Sequence, residues 1–189
     1  IRLIGDKSLS KRDFSRVTTP LKKFGARFFY KTKNKLPLSI LGSKNVKGIK
    51  YLENKGSAQC KSSIMLAALN ASGTTSIKAK KSRNHSELLF KFLKIPIKIK
   101  KTKQYDFIDI KEPKKIRSFN YQIPGDISSS AFFMVLTILT KNSKLLIKNV
   151  NINSSRVGVI TILKKMGAQI LLKNQRNYRG EKISDILIQ

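Results

Sequence analysis

Two apolar runs, Ile64–Leu69 and Phe132–Leu136, each follow a glycine and a cluster of small hydroxyl residues. The first cluster is Gly56-Ser-Ala-Gln-Cys-Lys-Ser-Ser63 and the second is Gly125-Asp-Ile-Ser-Ser-Ser-Ala131. The pattern predicts two helices with serine-rich first turns; Ala131–Leu139, the longest apolar candidate, reads as a core helix. A short apolar strand pattern follows each, Thr74–Ile77 and Ser143–Ile147, and then a polar turn, Lys81–Asn84 and Asn153–Arg156. Leu88, Leu89, Phe92 and Leu93 carry a second helical pattern after the first turn; Val159, Ile160 and Leu163 carry one after the second. Leu163–Ala168 and Pro20–Ala26 share a helix tail, with lysines in the last turn and a glycine, Gly167 or Gly25, where a C-terminal cap belongs.

These elements repeat. Gly56 and Gly125 are 69 residues apart, and Gly25 and Gly167 are 142 apart, close to twice that offset. The implied unit of about 70 residues is longer than solenoid periods. It reads strand, helix, strand, helix, then two hairpin strands. Ile1–Ile4 and Ile183–Gln189 read as strands met partway, so the chain is expected to be an internal piece of a longer protein.

With 40% hydrophobic residues the chain belongs to the globular class. No apolar run approaches the roughly 18 residues of a membrane span. Cys60 is the only cysteine, which excludes an internal disulfide and a cysteine-based metal site and suits a reducing, cytoplasmic compartment. The net charge of +30 would suit nucleic-acid binding. The lysines, however, are spread over helix ends, turns and strands; the densest run is Lys98–Lys103, and no RNA-binding aromatic signature accompanies it. We read the charge as lysines on solvated faces of an ordinary fold, with a field that steers small anions.

A serine-rich helix start is an anion site in the making, because free N–H groups and hydroxyls gather at the positive end of the helix dipole. Ser57, Gln59, Ser62 and Ser63 stand at one such start, although Ser57 also suits plain N-capping. Asn84 and Glu87 have capping-box spacing, and Arg83 beside them can fork onto a phosphate. His85 is the only histidine, so a Ser-His-Asp triad and a multi-histidine metal site are excluded. Arg12 follows the turn Gly5–Ser8 and is either a solvated charge or a carboxylate clamp. Asp126 suits capping of its helix.

The same segments resemble those of the 5-enolpyruvylshikimate-3-phosphate synthase family, in its glyphosate-insensitive class. Gly5-Asp-Lys-Ser-Leu-Ser-Lys-Arg12, Pro20–Ala26, Leu36-Pro-Leu-Ser-Ile40 with Gly42, Gly56–Ser63, Ser82-Arg-Asn-His-Ser-Glu87, Pro124–Phe133 and Asn153–Ala168 match that family's motifs in order, from residue 1 to about 175. The resemblance implies an α/β (α+β) fold of repeated βαβαββ units, the inside-out α/β barrel of enolpyruvyl transferases, in two domains flanking a cleft. Residues 1–122 would be the last part of the first domain, about two units. Residues 123–189 would be the first unit of the second domain, with the crossover near Gln122–Gly125.

The implied reaction moves the enolpyruvyl group of phosphoenolpyruvate to the 5-hydroxyl of shikimate 3-phosphate and releases phosphate. By resemblance Ser57, Ala58, Gln59, Ser82 and Arg83 bind shikimate 3-phosphate, Arg12 and Gln59 bind phosphoenolpyruvate, and Asp126 shapes the cleft just past the hinge. No catalytic residue is expected within these residues, and no cofactor or metal. The piece alone is expected to be inactive, and the full-length protein a cytoplasmic monomer that binds neither nucleic acid nor membrane. The family has a proline after the arginine; here Asp13 stands beside Arg12 and is expected to weaken its hold on an anion. Two alternatives are a UDP-N-acetylglucosamine enolpyruvyl transferase, which uses a loop cysteine where Cys60 lies on another element, and a basic nucleic-acid-binding protein or relative of the RNA-phosphate cyclases.

Overall fold

The computed structural model describes residues 1–189. Their contacts divide into two compact units: Ile1–Ser82 with Leu93–Ile116, and Arg83–Phe92 with Arg117–Gln189.

In the first unit, β1 (Arg2–Leu3), α1 (Lys7–Ser10), α2 (Ser15–Lys23), β2 (Arg27–Tyr30) and β3 (Leu38–Leu41) build an antiparallel sheet of order β1-β3-β2. Next come β4 (Lys50–Glu53), α3 (Ala58–Ala68) and β5 (Thr74–Lys80), then α4 (His85–Phe92), which groups with the second unit, then β6 (Ile97–Lys101) and β7 (Tyr105–Lys111). Their sheet has the order β4-β5-β7-β6, with β4 and β5 parallel and the other pairs antiparallel. The second unit adds α5 (Ile127–Leu139), β8 (Leu145–Asn151), α6 (Gly158–Lys165), β9 (Ile170–Tyr178) and β10 (Glu181–Ile188), in a sheet of order β8-β10-β9.

The repeat read from the sequence is therefore present in three-dimensional form. β4-α3-β5-α4-β6-β7 is one complete βαβαββ unit. In each sheet the last strand of the hairpin inserts between its hairpin partner and the preceding strand. In the second unit a single parallel bridge, Gly125 to Val150, stands where β4 pairs with β5 in the first.

Burial follows the pleat. β5 and β7 send Ile77, Ala79, Ile108 and Ile110 inward, under Ile64, Met65 and Ala68 of α3, while Lys78, Lys80, Phe107 and Asp109 face solvent. Lys98 of β6 lies opposite Asp109 and Lys101 opposite Asp106, so the densest lysine run is interleaved with acids. β10 is buried along nearly its whole length because β8 and β9 flank it on both edges.

The run expected to form a core helix becomes α5, but it is buried along one stripe only: Ile127, Ser130, Met134 and Thr137. These recur at helical spacing, and Ile127 and Met134 pack with Val150, Ile160, Leu163, Ile186 and Ile188. Phe132, Phe133, Leu136 and Leu139 point outward, with Phe132 79% exposed. The large apolar side chains lie on the exposed face and two hydroxyl residues on the buried one, so the sequence could not say which face packs.

The shared helix tail has a common geometry. After α2, Gly25 (φ 90°) donates to the Lys22 carbonyl and Ala26 to the Leu21 carbonyl; after α6, Gly167 (φ 94°) donates to Lys164 and Ala168 to Leu163. Paired bonds of this kind need a left-handed residue, which suits glycine. After α4 the same position holds Lys94 at φ 56°, 69 residues after Gly25. A lysine there carries a steric cost that glycine lacks. Lys94→Gly is therefore expected to stabilise the protein by about 0.5–1 kcal/mol, read as a higher urea midpoint at unchanged m.

Candidate functional site

β4 and β5 are parallel neighbours, with Glu53 in register with Ala79, so both strands end on the same edge of the sheet. The segments that follow, 54–57 and 81–82, are thereby set side by side. Ligands in α/β sheets gather at such carboxyl ends, where helix N-termini converge.

The first turn is built from its backbone. Glu53 is buried, and its carboxylate accepts from the N–H of Lys55 (3.0 Å) and of Gly56 (2.9 Å). Gly56 adopts φ +67°, and a Cβ there would stand 3.3 Å from the Lys81 carbonyl oxygen, so the two turns touch. Ser57 caps α3: its hydroxyl accepts from the Cys60 N–H at 3.3 Å. Ala58 opens the helix and Gln59 is exposed on its first turn, its side chain making no hydrogen bond inside the molecule. In the second turn Ser82 Oγ is buried and has no hydrogen-bond partner. The structure thus brings Ser57, Ala58, Gln59 and Ser82 together in one unit, with an unsatisfied buried hydroxyl among them. A buried polar group of that kind costs free energy until it is partnered.

Cys60 lies one turn deeper. Burial pushes its thiol up, and its Sγ lies 3.9 Å from the Tyr51 hydroxyl, itself pushed up to about 12, first by burial and then by Cys60. A protonated buried thiol is a poor nucleophile, which fits a structural role.

Arg12 is exposed on the segment after α1, and its side chain makes no hydrogen bond. Asp13 beside it is already engaged: its carboxylate accepts from the Ser15 N–H (2.7 Å) and the Ser15 hydroxyl (2.9 Å) at the start of α2. The Ser15 backbone bond is the main reason its carboxyl lies below the usual range, helped by Lys55 and Arg16. The sequence could not show that Asp13 turns toward Ser15.

Arg83 and Asp126 belong to the second unit. Asp126 caps α5, accepting from the N–H groups of Ser128 and Ser129, each at 3.3 Å. Arg156 closes on the same carboxylate at 2.8 Å. Burial raises the Asp126 carboxyl, but the Ser128 bond and the Arg156 charge outweigh it and hold it below the usual range. A depressed carboxyl contributes stability above its unfolded value and loses it as pH falls through the folded one. Asp126→Ala is therefore expected to cost about 1 kcal/mol at pH 7, and the gap from the parent should narrow below roughly pH 4. Urea unfolding at pH 7 and pH 3 measures both.

Arg83 is exposed just before α4 and its side chain makes no hydrogen bond. Behind it lies a polar network. Asn84 Oδ1 accepts from Asn153 Nδ2 at 2.9 Å; Asn153 Nδ2 also donates to Glu181 Oε2 at 3.1 Å; Glu181 Oε1 meets His85 Nδ1 at 2.6 Å. A cavity of about 380 Å³ opens beside it, lined by His85, Tyr121, Pro124, Asp126, Arg156 and Glu181. The sequence assigned no role to Glu53 or Glu181, and showed Asn153 and Arg156 only as the ends of a polar turn and the start of a family motif. One signal was present for the glutamates: acids are scarce, 10 against 40 Lys and Arg, so an acid at the edge of an apolar strand is conspicuous.

Known proteins resemble this chain along its whole length. A family model described as EPSP synthase (3-phosphoshikimate 1-carboxyvinyltransferase) matches residues 1–188. Among curated relatives, the 3-phosphoshikimate 1-carboxyvinyltransferases of Petrotoga mobilis and Thermoanaerobacter sp. (strain X514) are 40% identical over 189 residues and 42% identical over 188. Each match spans 99% of this chain but 43% of the relative. The solved EPSP synthase of Acinetobacter baumannii superposes with a TM-score of 0.81 at 39% identity, over 100% of this chain and 42% of that one.

Proposed function

The chain belongs to the EPSP synthase family, and on that premise we propose that it supplies substrate-binding turns for enolpyruvyl transfer from phosphoenolpyruvate to the 5-hydroxyl of shikimate 3-phosphate, with release of phosphate. One observation carries the reading. The turns after β4 and β5 lie side by side, and they combine the N-terminus of α3, the exposed Gln59 and the buried, unpartnered Ser82 hydroxyl. That set donates hydrogen bonds and has no acid aimed outward; the one acid in it, Glu53, is turned onto the backbone N–H groups of Lys55 and Gly56. It suits a phosphate ester better than a neutral ligand.

In this reading Ser57, Ala58, Gln59, Ser82 and Arg83 hold shikimate 3-phosphate. Arg12 and Gln59 hold phosphoenolpyruvate, and Asp126, locked by Arg156, shapes its part of the site without taking a proton. No catalytic residue is assigned in residues 1–189, and the reaction requires no metal or cofactor here. The chain spans about 43% of the length of the curated relatives it matches. We therefore expect turnover from the full-length protein and none from residues 1–189 alone. No helix is long and apolar enough to cross a membrane, and we place the full-length enzyme in the cytoplasm as a monomer free of nucleic acid.

A phosphate-release assay tests this. The full-length protein should release phosphate only when both substrates are present, and Arg83→Ala should raise the KM for shikimate 3-phosphate roughly 10- to 100-fold. Absence of release from the full-length protein with both substrates overturns the reading. Sustained turnover by residues 1–189 overturns the division of labour.

A further inference from the structure

We infer that Glu181 and Asn153, with His85 and Asn84 as intermediaries, are positioning residues that fix the direction of Arg83 toward its ligand. The inference rests on the reading of Arg83 as a ligand of shikimate 3-phosphate.

Arg83 is exposed and makes no side-chain hydrogen bond, so its direction depends on the backbone that carries it. Both residues that follow it are tied down. Asn84 accepts from Asn153 Nδ2 at 2.9 Å, and His85 meets Glu181 at 2.6 Å. One amide nitrogen, Asn153 Nδ2, serves both Asn84 and Glu181, which joins the two ties into one network.

The anchors themselves are buried. Glu181 is 5% exposed, at the first position of β10, and Asn153 is 4% exposed. Asn153 Oδ1 accepts from the Ser155 N–H and hydroxyl at 2.9 and 2.7 Å, which aims its nitrogen at Asn84 and Glu181. The turn before β10 is pressed on α4: Gly180 takes φ 91°, and a Cβ there would lie 3.0 Å from the Leu88 carbonyl oxygen. The Arg179 guanidinium stacks over Phe92 at 5.9 Å and Tyr178 at 5.5 Å, which holds the far end of α4. With both ends of α4 held, removal of the Glu181 tie frees the N-terminal end, where Arg83 begins. Groups held by rigid neighbours lose less freedom on binding, so the tie should show in affinity for the substrate that Arg83 touches.

A double-mutant cycle in the full-length enzyme tests this. Steady-state constants for both substrates are measured for the parent, Arg83→Ala, Glu181→Ala and the double variant. Glu181→Ala is expected to raise the KM for shikimate 3-phosphate about 5- to 10-fold and to change the KM for phosphoenolpyruvate less than about 2-fold. In the Arg83→Ala background the same change should do almost nothing further. Glu181→Gln, which keeps an acceptor, should recover part of the loss. Should Glu181→Ala fail to fold, His85→Ala replaces it, since His85 is only half-buried; the same non-additive pattern is expected. Effects equal on both substrates, or additive with Arg83→Ala, overturn the inference and leave the Arg83 assignment intact. An unchanged KM in Arg83→Ala itself overturns both.

Discussion

Gly48→Ala should destabilise the first unit by about 2–3 kcal/mol, seen as a lower urea midpoint at unchanged m. Gly48 lies on the approach to β4, where its N–H donates to the Ser72 carbonyl and the neighbouring Lys47 bridges Ser72 in parallel. A Cβ at Gly48 would stand 2.3 Å from the Thr74 carbonyl oxygen and 2.6 Å from its carbon. Those are backbone atoms that cannot rotate aside, so the two segments must separate along the pairing that continues into β4 and β5. Gly42 provides the control. A Cβ there meets nothing within 4 Å, and Gly42→Ala should stay within about 0.5 kcal/mol of the parent.

Glu53→Ala should strike the site and the fold together. Its buried carboxylate satisfies the N–H groups of Lys55 and Gly56, which shape the turn before Ser57. Bonds to a charged acceptor are worth about 1.5–3 kcal/mol each, and these two hold a part-buried turn. We expect a stability loss of about 3 kcal/mol and a weaker hold on shikimate 3-phosphate, because the turn that presents Ser57 and Gln59 relaxes. Glu53→Gln keeps one acceptor oxygen and should recover roughly half of both effects. Equal affinity for shikimate 3-phosphate in Glu53→Ala and the parent would show that the turn does not set the site.

The repeat was legible because its markers are local. Glycines at fixed offsets, serine-rich helix starts and lysine-rich helix tails each encode backbone geometry within a few residues, and Gly25 and Gly167 sit at positive φ as their positions demanded. The third tail was less visible because Lys94 occupies the left-handed position that Gly25 and Gly167 hold elsewhere. Ser57 was legible as a helix cap for the same local reason. What the sequence withheld was long-range. Glu181 reaches His85 across 96 residues, and Arg156 reaches Asp126 across 30. No spacing rule links such pairs; only the sheet order brings β10 and the segment after β8 to the start of α4 and α5. The exposed face of α5 escaped notice for the complementary reason: Phe132, Phe133, Leu136 and Leu139 are as apolar as the buried Met134, and the covered stripe includes Ser130 and Thr137.

Backbone amide NMR of the full-length protein during titration with shikimate 3-phosphate tests the assignment of the paired turns most directly. Saturable shifts at Ser57, Ala58, Gln59, Ser82 and Arg83 are the predicted result; unmoved signals at those positions, with the shifts elsewhere or nowhere, would contradict it.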